Sequence, residues 1–181
     1  NSSGADSSAA RRVADSGSGN GLSQPTWVDN DGDGLADAVY AGDLKGNLWK
    51  FDLKSGSSSN WSVSKLFTAV DSSGNTQPIT VQPTALKGDG GIWVFVGTGR
   101  LLAKEDIGAS AMSAKQSFYG LWDNNQPIAG RGVLVSQTIT NTTSKNGMSL
   151  RVTSDNAVDL TNPNQRGWYM DLTDSGERVI A

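Results

Sequence analysis

The chain has 181 residues, 36% of them hydrophobic, with 22 glycines and a net charge of −3, enough for one domain with a core or for part of a larger one. It contains no histidine and no cysteine, which removes the usual general base near neutral pH, thiolate chemistry, structural zinc and disulfides. No apolar run approaches the roughly 18 residues of a membrane span, no signal peptide is visible, and no block of like charge offers a nucleic-acid surface.

A start at Asn1 rather than Met reads as a processed product or an excised fragment, with any export signal or anchor upstream. Asn1 to Ser23 is rich in Ser, Ala, Gly and Asp and reads as a mostly flexible segment, with residues 24–181 as the folded part. Structure is expected to begin at Pro25-Thr26-Trp27-Val28, which feeds straight into an acidic loop. Ala38 to Asp43 and Asn47 to Leu53 read as strands around the turn Leu44-Lys45-Gly46. In the second strand Trp49, Phe51 and Leu53 alternate with Leu48, Lys50 and Asp52, the period of a half-buried strand. Trp61 to Phe67 is a further candidate strand, and Thr80 to Leu86 an edge or bulged one because of Pro83. Ile92 to Val96 is uninterruptedly apolar and predicts a strand buried on both faces. Residues 101–115 suggest a loop with one helical turn, and Phe118 to Asp123 and Gly167 to Leu172 complete the strands.

A faint repeat runs through these elements. Val39-Tyr40-Ala41-Gly42-Asp43 resembles Val94-Phe95-Val96-Gly97-Thr98, and each precedes an aromatic strand ending in Asp, at Asp52 and Asp123. Gly167-Trp168-Tyr169-Met170-Asp171 looks like a third such strand. Self-similar β units of roughly 40–50 residues suggest an all-β fold of propeller blades. About three or four blades would fit, fewer than a ring needs, so the chain reads as part of a modified β-propeller.

The densest chemistry lies in residues 29–37. Asp29, Asp31, Asp33 and Asp37 occupy positions one, three, five and nine of a D-x-D-x-D-G-x-x-D pattern. Calcium takes six to eight oxygen ligands, and carboxylates at alternate positions of a tight loop converge on it. Gly34 permits the sharp turn that brings the Leu35 carbonyl inward, and Gly32 relaxes the backbone between carboxylates. Without a cation four aspartates this close repel one another. The EF-hand loop opens the same way but closes with Glu at position twelve, where this chain has Tyr40, so Asp37 must close the site. The expected ligands are therefore Asp29, Asp31, Asp33, the Leu35 carbonyl and Asp37, around Ca2+ as the cofactor; Asn30 and Ala36 are expected to point away. Magnesium fits less well, because it demands strict octahedral geometry and keeps its waters.

Trp27 to Asp37 running directly into Val39 to Leu53 closely resembles the C-terminal domain of the PilC/PilY type IV pilus biogenesis and tip-adhesin family. Val96-Gly97-Thr98-Gly99-Arg100, Gln116 to Asp123, Gly167 to Leu172 and Gly176-Glu177-Arg178-Val179 resemble that family too, in the same order. The resemblance implies a modified β-propeller with calcium in one exposed loop, held by the same five positions. It implies a non-enzymatic protein of the Gram-negative cell surface, associated with the pilus tip or outer membrane. Its partners would be type IV pilus proteins such as minor pilins, and host-cell surface receptors. In that family calcium occupancy is thought to govern pilus extension against retraction. The chain stops at Ala181, where the family's propeller should continue, and it carries no Arg-Gly-Asp tripeptide.

Other signals favour structural readings. Gly97-Thr98-Gly99-Arg100 superficially resembles a phosphate loop, but no Lys-Ser/Thr follows, and a turn after a strand fits better. Trp27, Trp49, Trp93, Trp122 and Trp168 alternate within strands and are expected to pack in the core rather than stack on sugars. Asp123, Asp171, Asp174 and Glu177 are expected to be solvated or turn-forming rather than a glycosidase pair. Arg11, Arg12 and Arg151 read as isolated surface residues. Two other functions use parts of the same pattern. An integrin-like FG-GAP propeller shares the nine-residue loop but usually carries several copies, and a quinoprotein-like enzyme shares the blade hairpin but needs a cofactor cavity.

Overall fold

A computed structural model of the chain describes residues 17–180. Of the segment expected to be flexible, residues 1–16 lie outside the described residues. Its end is docked: Ser23 N donates to the Gly42 carbonyl at 2.9 Å, and Leu22 bridges Asp43.

Two sheets and one separate hairpin account for the strands. The first sheet is an antiparallel meander of β1 (Thr26–Val28), β2 (Ala38–Gly42), β3 (Asn47–Asp52) and β4 (Ser62–Thr68). The second joins β5 (Thr84–Gly88), β6 (Gly91–Gly97), β7 (Ser117–Asp123), β8 (Val135–Gln137) and β11 (Gly167–Asp171) in the order β5-β6-β7-β11-β8. Between β6 and β7 a 3-10 turn at Lys104–Ile107 leads into α1 (Ala109–Ser113), the helical turn expected there. β9 (Ile139–Lys145) and β10 (Met148–Thr153) pair only with each other among the described residues. The fold is mostly β; the first sheet is a four-stranded meander of the kind that forms propeller blades, and the second has a four-stranded antiparallel core, β5-β6-β7-β11, with β8 added parallel to β11.

The sheets share one core. Tyr40, Leu48 and Phe67 of the first join Val94, Val96, Tyr119 and Leu121 of the second, all at most 1% exposed. Phe67 meets Tyr119 with ring centroids 5.1 Å apart. Polar bonds cross the same seam. Asp123 Oδ2 accepts from the Tyr40 hydroxyl and pairs with Lys50 Nζ, each at 2.6 Å. Burial, with the Asp123 charge beside it, drives the Tyr40 hydroxyl pKa well above its ordinary value.

Several expectations need correction. Of the five tryptophans assigned to the core only Trp122 is buried, and Trp27 is 64% exposed. Strand alternation turns Val28 inward and Trp27 outward. In β3 the buried residues are Leu48 and Lys50, while Trp49 and Phe51 lie on the half-exposed face. Likewise β6 buries Ile92, Val94 and Val96 but not Trp93 and Phe95. Those aromatics pack along the outer face of their own sheet: Trp93 against Trp122 at 5.3 Å, and Phe95 and Phe118 against Trp168 at 6.4 and 5.8 Å. The Trp168 indole lies over Gly120, where a Cβ would come within 2.5 Å of it. Gly167–Asp171 is not the start of a third blade. It pairs antiparallel with β7 as the fourth strand of the second sheet, with Trp168 opposite Gly120. The described residues therefore hold two blade-like sheets, not three or four, because residues 124–166 carry the inserted β8 and the β9–β10 hairpin.

Candidate metal centre

The acidic loop is the connection between β1 and β2. Its base is closed by Asp37 N donating to the Val28 carbonyl at 2.8 Å, and Leu53 N donates to the Asp37 carbonyl at 2.8 Å. The loop is thus anchored to the first two strands and to the end of β3.

Inside it the aspartates hold the backbone. Asp29 accepts from Gly32 N at 2.6 Å and from Gly34 N at 2.8 Å. Asp31 Oδ1 accepts from Asp33 N, and Asp33 Oδ1 from Leu35 N at 2.8 Å. Asp37 Oδ2 accepts from Asn30 N at 2.7 Å and Asp31 N at 3.2 Å. These bonds use one oxygen each of Asp31, Asp33 and Asp37, leaving each a second oxygen for a cation. Gly32 and Gly34 sit at φ 84° and 87°, the left-handed region where glycine alone is unstrained. The backbone bonds from Gly34 and Gly32 hold the Asp29 carboxyl below the usual carboxylate pKa, so it stands ionised at neutral pH.

Carboxylate oxygens of Asp29, Asp31 and Asp37 lie within 4.8 Å of one another. The Asp33 carboxylate stands outside that group, and the Leu35 side chain is 69% exposed. Three converging hard oxygen donors, with a fourth carboxylate and a backbone carbonyl in the same loop, fit a calcium ion in donor type; bidentate carboxylates or water would have to supply the rest of its six to eight oxygens. Sequence reading missed one further contact. Lys87 Nζ, 57 positions from Asn30 along the chain, donates to its carbonyl at 2.6 Å; nothing local in the sequence signals a pairing across that distance.

Each of the acids weighed as a glycosidase pair is held by a cation; Asp123 is buried rather than solvated, while Asp174 is exposed in a turn as expected. Asp123 is buried against Lys50 and Tyr40. Asp171 takes a two-pronged bond from Arg131 at 2.8 and 2.9 Å, with the guanidinium 3.8 Å above the Tyr169 ring. Asp174 and Glu177 pair with Arg151, which is therefore not isolated. Gly97 to Arg100 does not form the expected turn: Gly97 ends β6, Gly99 at φ 149° bridges Ile79, and Thr98 exchanges bonds with Ser117 across the strand.

Residues 2–157 match the family model for the PilY1 beta-propeller domain. The chain is 35% identical over 195 aligned positions to the type IV pilus biogenesis factor PilY1 of Pseudomonas aeruginosa, covering 87% of this chain and 17% of that protein. It is 38% identical over 170 positions to a PilY1 homolog of Xylella fastidiosa, covering 90% of this chain and 13% of that one. The crystal structure of the P. aeruginosa PilY1 C-terminal domain superposes with a TM-score of 0.80 at 33% identity, over 93% of this chain and 43% of that one. The chain thus spans less than a fifth of the curated relatives it matches.

Proposed function

The chain belongs to the PilY1 β-propeller family, and from that premise we propose that it is a calcium-binding structural and regulatory domain of a type IV pilus biogenesis factor. The observation that carries the calcium reading is the convergence of Asp29, Asp31 and Asp37 within 4.8 Å. Asp33 and the Leu35 carbonyl complete the shell from positions five and seven of the loop. The bound cation supplies positive charge that cancels the repulsion among the aspartates and fixes the β1–β2 connection in one arrangement.

The regulatory consequence follows from the anchoring. With the ion, the loop, both flanking strands and the end of β3 form one rigid corner at the protein surface. That corner would meet the pilus machinery, with minor pilins as partners, and its occupancy would bias pilus extension against retraction. Such a protein works at the cell surface or pilus tip of a Gram-negative bacterium, where host-cell receptors are further partners. The naming of the relatives as pilus biogenesis factors supports the pilus part of this reading.

Calorimetric titration with calcium tests it. The wild-type chain should take up one ion, and Asp37→Ala and Asp33→Ala should each abolish uptake while circular dichroism still reports folded strands. At free calcium about a hundredfold above Kd, the wild type gains about 2.7 kcal/mol of stability that neither variant gains. Unchanged uptake in both variants would remove the site from this loop.

A further inference from the structure

Two side chains of the second sheet's edge reach the first sheet around the acidic loop. Gln82 Nε2 donates to the Pro25 carbonyl at 2.8 Å, where the chain enters β1. Lys87, within β5, donates from Nζ to the Asn30 carbonyl at 2.6 Å. Asn30 lies between the ligand positions Asp29 and Asp31, and its own N–H donates to Asp37 Oδ2 at 2.7 Å. Asn30 is therefore gripped from both sides, on one by a carboxylate of the loop and on the other by an ammonium from the neighbouring blade.

We infer that Lys87 is a positioning residue for the calcium loop, holding the Asn30 carbonyl so that Asp29 and Asp31 stay aimed inward and tying ion uptake to the seam between the two sheets. This rests on the calcium reading above. Two effects of the ammonium oppose each other. Its charge beside four aspartates disfavours a second cation, while its hydrogen bond preorganises the ligands. Lys87 is exposed, so its charge acts through water and is screened within about 8 Å at physiological salt. The hydrogen bond is short and comes from a charged donor, the stronger kind. Positioning therefore wins. Coupling is reciprocal: if Lys87 tightens calcium binding, calcium tightens the Lys87 clasp and with it the packing of β1 against β5.

The test compares wild type, Lys87→Met and Lys87→Arg in the full chain by calcium calorimetry and by melting with and without calcium. Lys87→Met should raise the calcium Kd about three- to tenfold, the size of one ordinary hydrogen bond because water screens the exposed ammonium, and shrink the calcium-induced rise in melting temperature. Lys87→Arg should restore most of both. An equal or lower Kd for Lys87→Met overturns the inference while leaving the calcium site in place, since charge repulsion alone predicts that direction. A wild-type chain that takes up no calcium overturns both readings.

Discussion

Asp43 is fully buried yet gathers donors from every side. Asn20 Nδ2, Asn47 Nδ2 and Trp49 Nε1 reach its Oδ2 at 2.9, 2.9 and 2.8 Å, and Lys45 N and Asn47 N reach Oδ1 at 2.9 and 2.8 Å. Burial alone would raise its pKa, but the bonds from Asn20, Trp49 and Asn47 together outweigh it and hold it below the ordinary value. A depressed folded pKa means the stabilisation is complete above the unfolded value near 3.9 and is lost as pH falls through the folded one. Asp43→Asn should therefore cost about 1–3 kcal/mol at neutral pH. Urea unfolding at a series of pH values should also show the variant's stability falling less steeply than the wild type's below about pH 4. The loop aspartates could be read from sequence because all four fall in a regular pattern within nine consecutive residues. Asp43 could not: its role depends on Asn20 arriving from 23 positions upstream, and an aspartate before a turn looks the same whether buried or solvated.

Among the elements, β3 was legible from its alternation and β6 from its unbroken apolar run, each bounded by turn chemistry. What alternation did not reveal was which face is inward. Lys50 is buried because Asp123 at the end of β7 and Asn125 just beyond it satisfy its ammonium, and no local pattern announces such partners. The β9–β10 hairpin escaped notice although Asn146-Gly147, with φ 53° and 76°, is a strong hairpin signal. β9 is largely polar, Met148, Leu150 and Val152 alternate along β10, and nearly every residue of the hairpin is exposed. A lone two-stranded hairpin is marginal in water, so its attachment matters, and Arg151 supplies one by pairing with Asp174 and Glu177 beyond β11. Half-exposed ion pairs are worth at most about 1 kcal/mol. Arg151→Ala should accordingly speed amide exchange across residues 139–153 by up to about fivefold while β6 and β7 keep their protection. Equal acceleration in all four strands would mean that Arg151 supports the whole sheet instead.

At the scale of the molecule, the two sheets are joined by a seam with an apolar centre and polar ties. Tyr40, Lys50 and Asp123 form one tie. In another, the Tyr119 hydroxyl donates to Gln77 at 2.5 Å, and burial pushes its pKa up to about 12. The faint repeat suggested three or four blades, but the core that the two observed sheets share rests on contacts between residues far apart in the chain, which periodicity does not encode. The acidic loop stands on the same side of the molecule as the β1–β5 contact, so an ion there would brace one blade against the next. The most direct test is a crystal structure grown in ample calcium, with anomalous scattering data. The account predicts a calcium peak among Asp29, Asp31 and Asp37, with the Asp33 carboxylate drawn in and the Leu35 carbonyl directed at the ion. Ordered water alone at that position, with Asp33 still outside the group, would contradict it.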